Sequence, residues 1–121
     1  MSTGLSIQVL GTLRGGVYSP CPPQPSSFFQ ADRVAIGSRP WSYPALVLQD
    51  STVSPRHALL ERQDHGWVLR DLDSDNGIRS VRFSVEPNGP PEDARQASRF
   101  EFAEEMCCCI GAVVLRFTTF K

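Results

Sequence analysis

Three residue types that cooperate in nucleophilic catalysis occur in order along this chain: Ser54, His57 three places later, and Asp71. A hydroxyl, an imidazole and a carboxylate make an acyl-transfer site only when a sharp nucleophile turn and an oxyanion hole accompany them. Neither a Gly-x-Ser-x-Gly elbow nor an oxyanion-loop motif is present. The bland roles are therefore the expected ones: Ser54 in a turn, His57 in a structural role, and Asp71 ending a strand by accepting from loop amides. Asn76-Gly77 is a turn former, because both residues tolerate positive φ. No enzymatic activity is expected.

Metal and disulfide chemistry are equally poorly supported. The cysteines are Cys21 and the run Cys107-Cys108-Cys109, whose spacing fits no zinc template. They read as free thiols packed in a core, in a reducing, cytoplasmic compartment; a bridge from Cys21 to the run is the alternative. No metal and no cofactor is expected. Twelve basic and thirteen acidic side chains give a net charge of −1, and lysine occurs only at Lys121. With scattered arginines and no basic face, nothing asks for nucleic acid or an anionic membrane. The start, Met1 to Ser6, has neither the basic nor the apolar part of a secretory signal. The apolar run Cys107–Leu115 falls well short of the roughly 20 residues that span a bilayer, and reads as a buried strand.

The elements that must hold these residues are strands. Short β-prone runs recur at Ser6–Leu10, Gly16–Tyr18, Arg33–Ile36, Ala45–Leu48, His57–Arg62, Trp67–Leu72, Ile78–Val85, Arg99–Ala103 and Val113–Phe120. Turn formers separate them, among them Gly15-Gly16, the stretch from Pro20 to Ser27, Asp64-His65-Gly66 and Asn76-Gly77. Short strands at such spacing predict an antiparallel sandwich or barrel. Ala58 and Leu60 should face inward with Leu59 partly covered. The segment Glu92–Ser98 is the one candidate helix, too short to stand without tertiary support. Glu86–Arg95 reads as an exposed loop, and a single domain over residues 1–121 suffices for a chain of 121 residues, 40% of them hydrophobic and 21% charged.

Three clusters stand in sequence: Ile36-Gly37-Ser38-Arg39-Pro40; Asp50-Ser-Thr-Val53-Ser54-Pro55-Arg56-His57-Ala58; and Asp71-Leu72-Asp-Ser74-Asp75-Asn76-Gly77. Their order, spacing and hydrophobic frame resemble the forkhead-associated (FHA) family, whose signature runs Gly-Arg, Ser-x-x-His, then Ser-x-Asn-Gly. The resemblance implies an all-β FHA-type sandwich of about eleven mostly antiparallel strands, with loops at one end forming a binding site. It also implies a protein-interaction module that recognises a phosphothreonine peptide. Phosphothreonine brings nearly two negative charges and several acceptor oxygens, so its receptor converges a guanidinium, a hydroxyl and an amide. Carried over by position, Ser54 donates its hydroxyl to phosphate and Asn76 holds the ligand main chain. Gly37, His57, Gly77 and Asp71 support the loops.

The sequence departs from that signature in several places. Ser38 stands where the family's arginine follows the glycine, and Arg39 comes one later; a one-residue slip in an extended chain turns a side chain to the other face. Pro55 supplies neither a side-chain donor nor an N–H. Asp75 adds a carboxylate beside the phosphate position, a cost on the order of 1 kcal/mol. Ile78 replaces the usual threonine and Val81 an asparagine. Ser38, Arg39, Arg56 and Arg79 are the remaining candidates for phosphate contact. Gly37-Ser38-Arg39-Pro40 and Ser54-Pro55-Arg56-His57 are also similar to the FHA-like cytoplasmic domain of the type III secretion inner-membrane ring protein (YscD-like). That resemblance implies a phosphate-independent scaffold, oligomeric only as part of the secretion ring. In either case the partner is a protein, or a phosphopeptide, and this domain makes no membrane contact itself.

Overall fold

The computed structural model describes residues 4–22, 25–39, 41–83 and 92–120. Pro40 and the stretch Ser84–Pro91 lie outside them, with most of the expected Glu86–Arg95 loop. Twelve strands run in chain order: β1 (Gly4–Arg14), β2 (Val17–Pro20), β3 (Ser27–Phe29), β4 (Arg33–Gly37), β5 (Ala45–Val47), β6 (Ala58–Gln63), β7 (Gly66–Asp71), β8 (Ile78–Arg82), β9 (Glu92–Ala97), β10 (Arg99–Phe102), β11 (Glu105–Ile110) and β12 (Val113–Phe120). They form the all-β sandwich expected from the alternation. One sheet orders as β2-β1-β12-β11-β8-β9, with β3 also on β1, and the other as β10-β7-β6-β4-β5. All pairings are antiparallel except β4 with β5.

The core lies between the sheets. Val34 and Ile36 of β4, Ala58 and Leu60 of β6, and Trp67 and Leu69 of β7 meet Leu5, Ile7, Ile78, Cys108, Ile110, Leu115 and Phe117 of the other sheet. Leu59 is half-buried between its inward neighbours, as period-two alternation requires. A second apolar cluster, Leu13, Val81, Cys109 and Val114, occupies the opposite face of the larger sheet. Cys108 and Cys109 thus point to opposite faces, and all four cysteines are free. Among the described residues no helix is long and apolar enough to cross a membrane.

Two expectations need correction. Glu92–Ser98 is not helical: Glu92–Ala97 is strand β9, pairing with β8 from Ile78↔Ala97 to Arg82↔Glu92. The open edge of β8 offers a full hydrogen-bond ladder, which outweighs the weak propensity of so short a helix. The run Cys107–Leu115 is not one strand: β11 and β12 form a hairpin that turns at Gly111-Ala112, closing the pair Ile110↔Val113. Ser27–Phe29, inside a turn-rich stretch, adds the short strand β3 on β1.

Candidate functional site

The ends of β4, β7 and β11 and the starts of β6, β8 and β12 gather three loops at one pole of the sandwich: residues 38–44, 48–57 and 72–77. His57 joins them. Its imidazole is fully buried, accepts at Nδ1 from the Ser54 N–H at 3.0 Å, and donates from Nε2 to the Gly77 carbonyl at 2.8 Å. Its own N–H donates to the Ile36 carbonyl at 3.0 Å, and its carbonyl accepts from Leu72 N–H at 2.9 Å. Both ring nitrogens are therefore occupied, and neither can take a proton from the Ser54 hydroxyl. Asp71 Oδ1 lies 3.9 Å from Nε2, beyond hydrogen-bond reach. The triad types are near one another without triad geometry.

Asp71 instead organises the last loop. Its Oδ1 accepts from the Ser74 hydroxyl at 2.5 Å and its Oδ2 from the Ser74 N–H at 3.3 Å. Ser74 Oγ then accepts from the Gly77 N–H at 2.9 Å. Gly77 sits at φ +72°, a left-handed conformation that glycine takes without steric penalty. That closed turn presents Asn76 at the surface, where its Nδ2 donates to the Thr52 carbonyl at 2.8 Å.

Ser54 faces the same rim. Its Oγ accepts from the Asp75 N–H at 3.0 Å, which leaves its own O–H free to donate outward. Its carbonyl accepts from the Ser38 N–H at 3.0 Å, fastening the first loop to the second. The contact is so close that a Cβ on Gly37 would lie 2.0 Å from the Pro55 carbonyl oxygen. Only glycine fits, which gives that motif position its physical reason.

The arginines separate. Arg39 is exposed on the first loop. Arg56, also exposed, stacks its guanidinium over the Trp41 ring, 4.8 Å from the centroid. Arg79 lies on β8 beyond Asn76, half-buried, with Nη2 directed to the Gly111 carbonyl at 3.4 Å. Ser38 and Ser54 are joined between the first two loops, which carry the exposed Arg39 and Arg56, while Arg79 lines one cavity with Asn76, Thr52 and Gly111 beside the β11–β12 turn.

Two residues that carry the middle loop were not singled out from the sequence. Asp50 Oδ1 accepts from the Thr52 N–H at 2.9 Å and from the Thr52 hydroxyl at 2.6 Å. Thr52 Oγ1 accepts in turn from the Ala112 N–H at 2.8 Å, tying the loop to the β11–β12 turn. Asp50 also pairs with Arg14 of β1. Burial raises the Asp50 pKa, but the Thr52 hydroxyl, the Thr52 amide and the Arg14 guanidinium together hold the carboxyl below its ordinary 3.8. The Asp-x-Thr spacing was the one available signal, since a carboxylate readily accepts from an amide two residues on.

A β-sandwich whose loops at one pole are fastened by a Ser-x-x-His pair with a buried histidine and by an Asn-Gly turn defines a class of protein-interaction modules. The FHA domain family model matches residues 34–103, more than half of the chain, and the chain belongs to that family. Solved structures agree on the fold. The FHA-1 domain of Mycobacterium tuberculosis Rv1747 superposes with a TM-score of 0.65 at 17% identity, over 100% of each chain. The FHA domain of the CT664 protein from Chlamydia trachomatis gives 0.63 at 18% identity, over 98% of this chain and 97% of that one. Mycobacterium tuberculosis EmbR, in complex with a low-affinity phosphopeptide, gives 0.58 at 20% identity over 93% of this chain and 24% of that one. No curated protein matches the sequence significantly.

Proposed function

We propose that this FHA domain reads a phosphothreonine peptide on a partner protein, through the rim that carries Ser54 and Asn76. One observation supports this reading above the others. The Ser54 oxygen accepts from the Asp75 N–H, and its hydroxyl proton, which has no acceptor among the described residues, is left to a ligand oxygen. Asn76, exposed beside it, spends one N–H on Thr52 and keeps its amide oxygen and second N–H for an extended main chain. Arg39 and Arg56 supply positive charge on the neighbouring loops, and the phosphopeptide complex of EmbR offers a parallel within the fold. Gly37, His57, Gly77 and Asp71 serve as supports, not contacts. Such a reader works where kinases do, in the cytoplasm, as a single domain over residues 1–121, without cofactor, metal or nucleic acid.

Calorimetry with a phosphothreonine peptide library and its unphosphorylated counterparts tests the reading. Affinity on the order of micromolar, about −8 kcal/mol, is expected for the phosphorylated forms alone. Ser54→Ala and Asn76→Ala should abolish it. Absence of phosphate-dependent binding would leave the scaffold reading of an FHA-like secretion-ring domain, which Ser38 favours by standing in the place of an arginine and Pro55 by bringing no donor. A partner protein that binds the domain equally well with and without phosphorylation would decide for it.

A further inference from the structure

The phosphate site proposed above has an unusual shortage of fixed cations. Ser38 occupies the place next to Gly37, and Pro55 brings no donor. Of the arginines at this pole, Arg14 is paired with Asp50 and Arg79 is turned to Gly111. Arg39 is exposed and makes no hydrogen bond or ion pair with the described residues, so ordering it on a ligand costs side-chain entropy. Arg56, by contrast, is both exposed and held. It stands two residues after Ser54, on the loop whose Ser54 carbonyl accepts from the Ser38 N–H, and its guanidinium lies over the ring of Trp41.

We propose that Trp41 is a positioning residue of this site: its ring fixes the guanidinium of Arg56, on the loop that bears Ser54, as the cation for the phosphate. The inference rests on the phosphothreonine reading and deepens it. Stacking suits the task because a guanidinium laid face-down on an indole keeps its N–H donors in plane, directed outward at a bidentate acceptor. A cation ordered beforehand loses less freedom when the ligand arrives. The indole N–H takes no part, since Trp41 Nε1 is enclosed and has no acceptor among the described residues. Only the ring face is required, and phenylalanine keeps a face while removing that unmatched donor.

The test is a double-mutant cycle read with one phosphothreonine peptide and its unphosphorylated form. Trp41→Ala should weaken phosphopeptide binding about two- to five-fold, the range of an exposed cation–π contact. In an Arg56→Ala background it should do nothing further, and Trp41→Phe should keep most of the affinity. Trp67, the second indole, is buried in the core, and its emission should be alike with and without peptide. A change of tryptophan fluorescence on phosphopeptide binding is therefore expected in the wild type and lost in Trp41→Phe. Independent, multiplicative effects of Trp41→Ala and Arg56→Ala, or emission blind to the phosphate, would overturn the proposal while leaving the phosphothreonine reading intact. If the wild type binds both peptides alike, and Ser54→Ala changes neither, the reading itself fails and this inference with it. Thermal unfolding of each variant separates lost binding from lost fold.

Discussion

His57 and Gly77, twenty residues apart, are joined by a 2.8 Å hydrogen bond from the imidazole Nε2 to the glycine carbonyl, inside a pole with no solvent access to the ring. Because Nδ1 accepts from Ser54, the neutral ring must carry its proton on Nε2. One buried side chain thus sets the separation of the loop that bears Ser54 from the turn that bears Asn76. The two residues proposed to touch a ligand are held in register by a third that does not.

Replacing His57 by alanine leaves the Ser54 N–H and the Gly77 carbonyl without their partner and opens a void. Each unmatched group costs roughly 1–3 kcal/mol, so a loss of about 3 kcal/mol is expected in urea unfolding. Affinity for any peptide bound at the rim should fall with it. A variant as stable as the wild type would show that the loops are set by something other than His57. Nitrogen-15 spectra of the ring should find the proton on Nε2.

Gly37→Ala tests the contact between the first two loops. A Cβ there lies 2.0 Å from the Pro55 carbonyl oxygen, and 3.2 Å from that of Ser54. Both neighbours are backbone and cannot swing aside like a side chain, so the 54–56 segment has to move outward. Overpacking of this kind costs about 1–3 kcal/mol. The Ser38–Ser54 hydrogen bond should lengthen at the same time, seen as faster hydrogen exchange at the Ser38 amide. Unchanged exchange and stability together would mean that the loops do not press on one another in solution.

How much of this the sequence displayed depends on how local each cause is. Alternation within His57–Arg62 and the turn at Asn76-Gly77 are local, and the strands and loops there follow directly. The β11–β12 hairpin was hidden because its turn, Gly111-Ala112, is made of residues as apolar as the strands beside it. β9 was misread because its structure comes from pairing with β8, a partner that no window of sequence contains. The site divides in the same way. His57, Asp71 and Asn76 were legible from spacing, whereas Thr52 owes its place to an amide sixty residues away in Ala112. The stacking of Arg56 on Trp41 joins two loops and leaves no periodic trace. Arg79, near in sequence to Asn76, reaches the β11–β12 turn because strand β8 directs it there.

The middle loop should also show its own acid dependence. Asp50 is held below its ordinary 3.8 in the folded protein: burial opposes this, and the Thr52 and Arg14 interactions outweigh it. A carboxyl whose pKa is lower folded than unfolded binds its proton first in the unfolded chain. It therefore contributes stability above the unfolded value, and that contribution is lost as pH falls from about 4 through the folded pKa. Asp50→Asn keeps an oxygen to accept from Thr52 but cannot ionise or pair with Arg14. The variant should be less stable than the wild type at pH 7, and the gap should close as pH falls from about 4 through the folded pKa. Denaturant unfolding of both proteins across that range isolates Asp50, since the other carboxyls titrate alike in each and cancel in the difference. A gap that stays constant with pH would mean that the aspartate acts through shape alone. A gap that closes ties the charge on Asp50 to the loop that presents Thr52, and through the Thr52 carbonyl to Asn76.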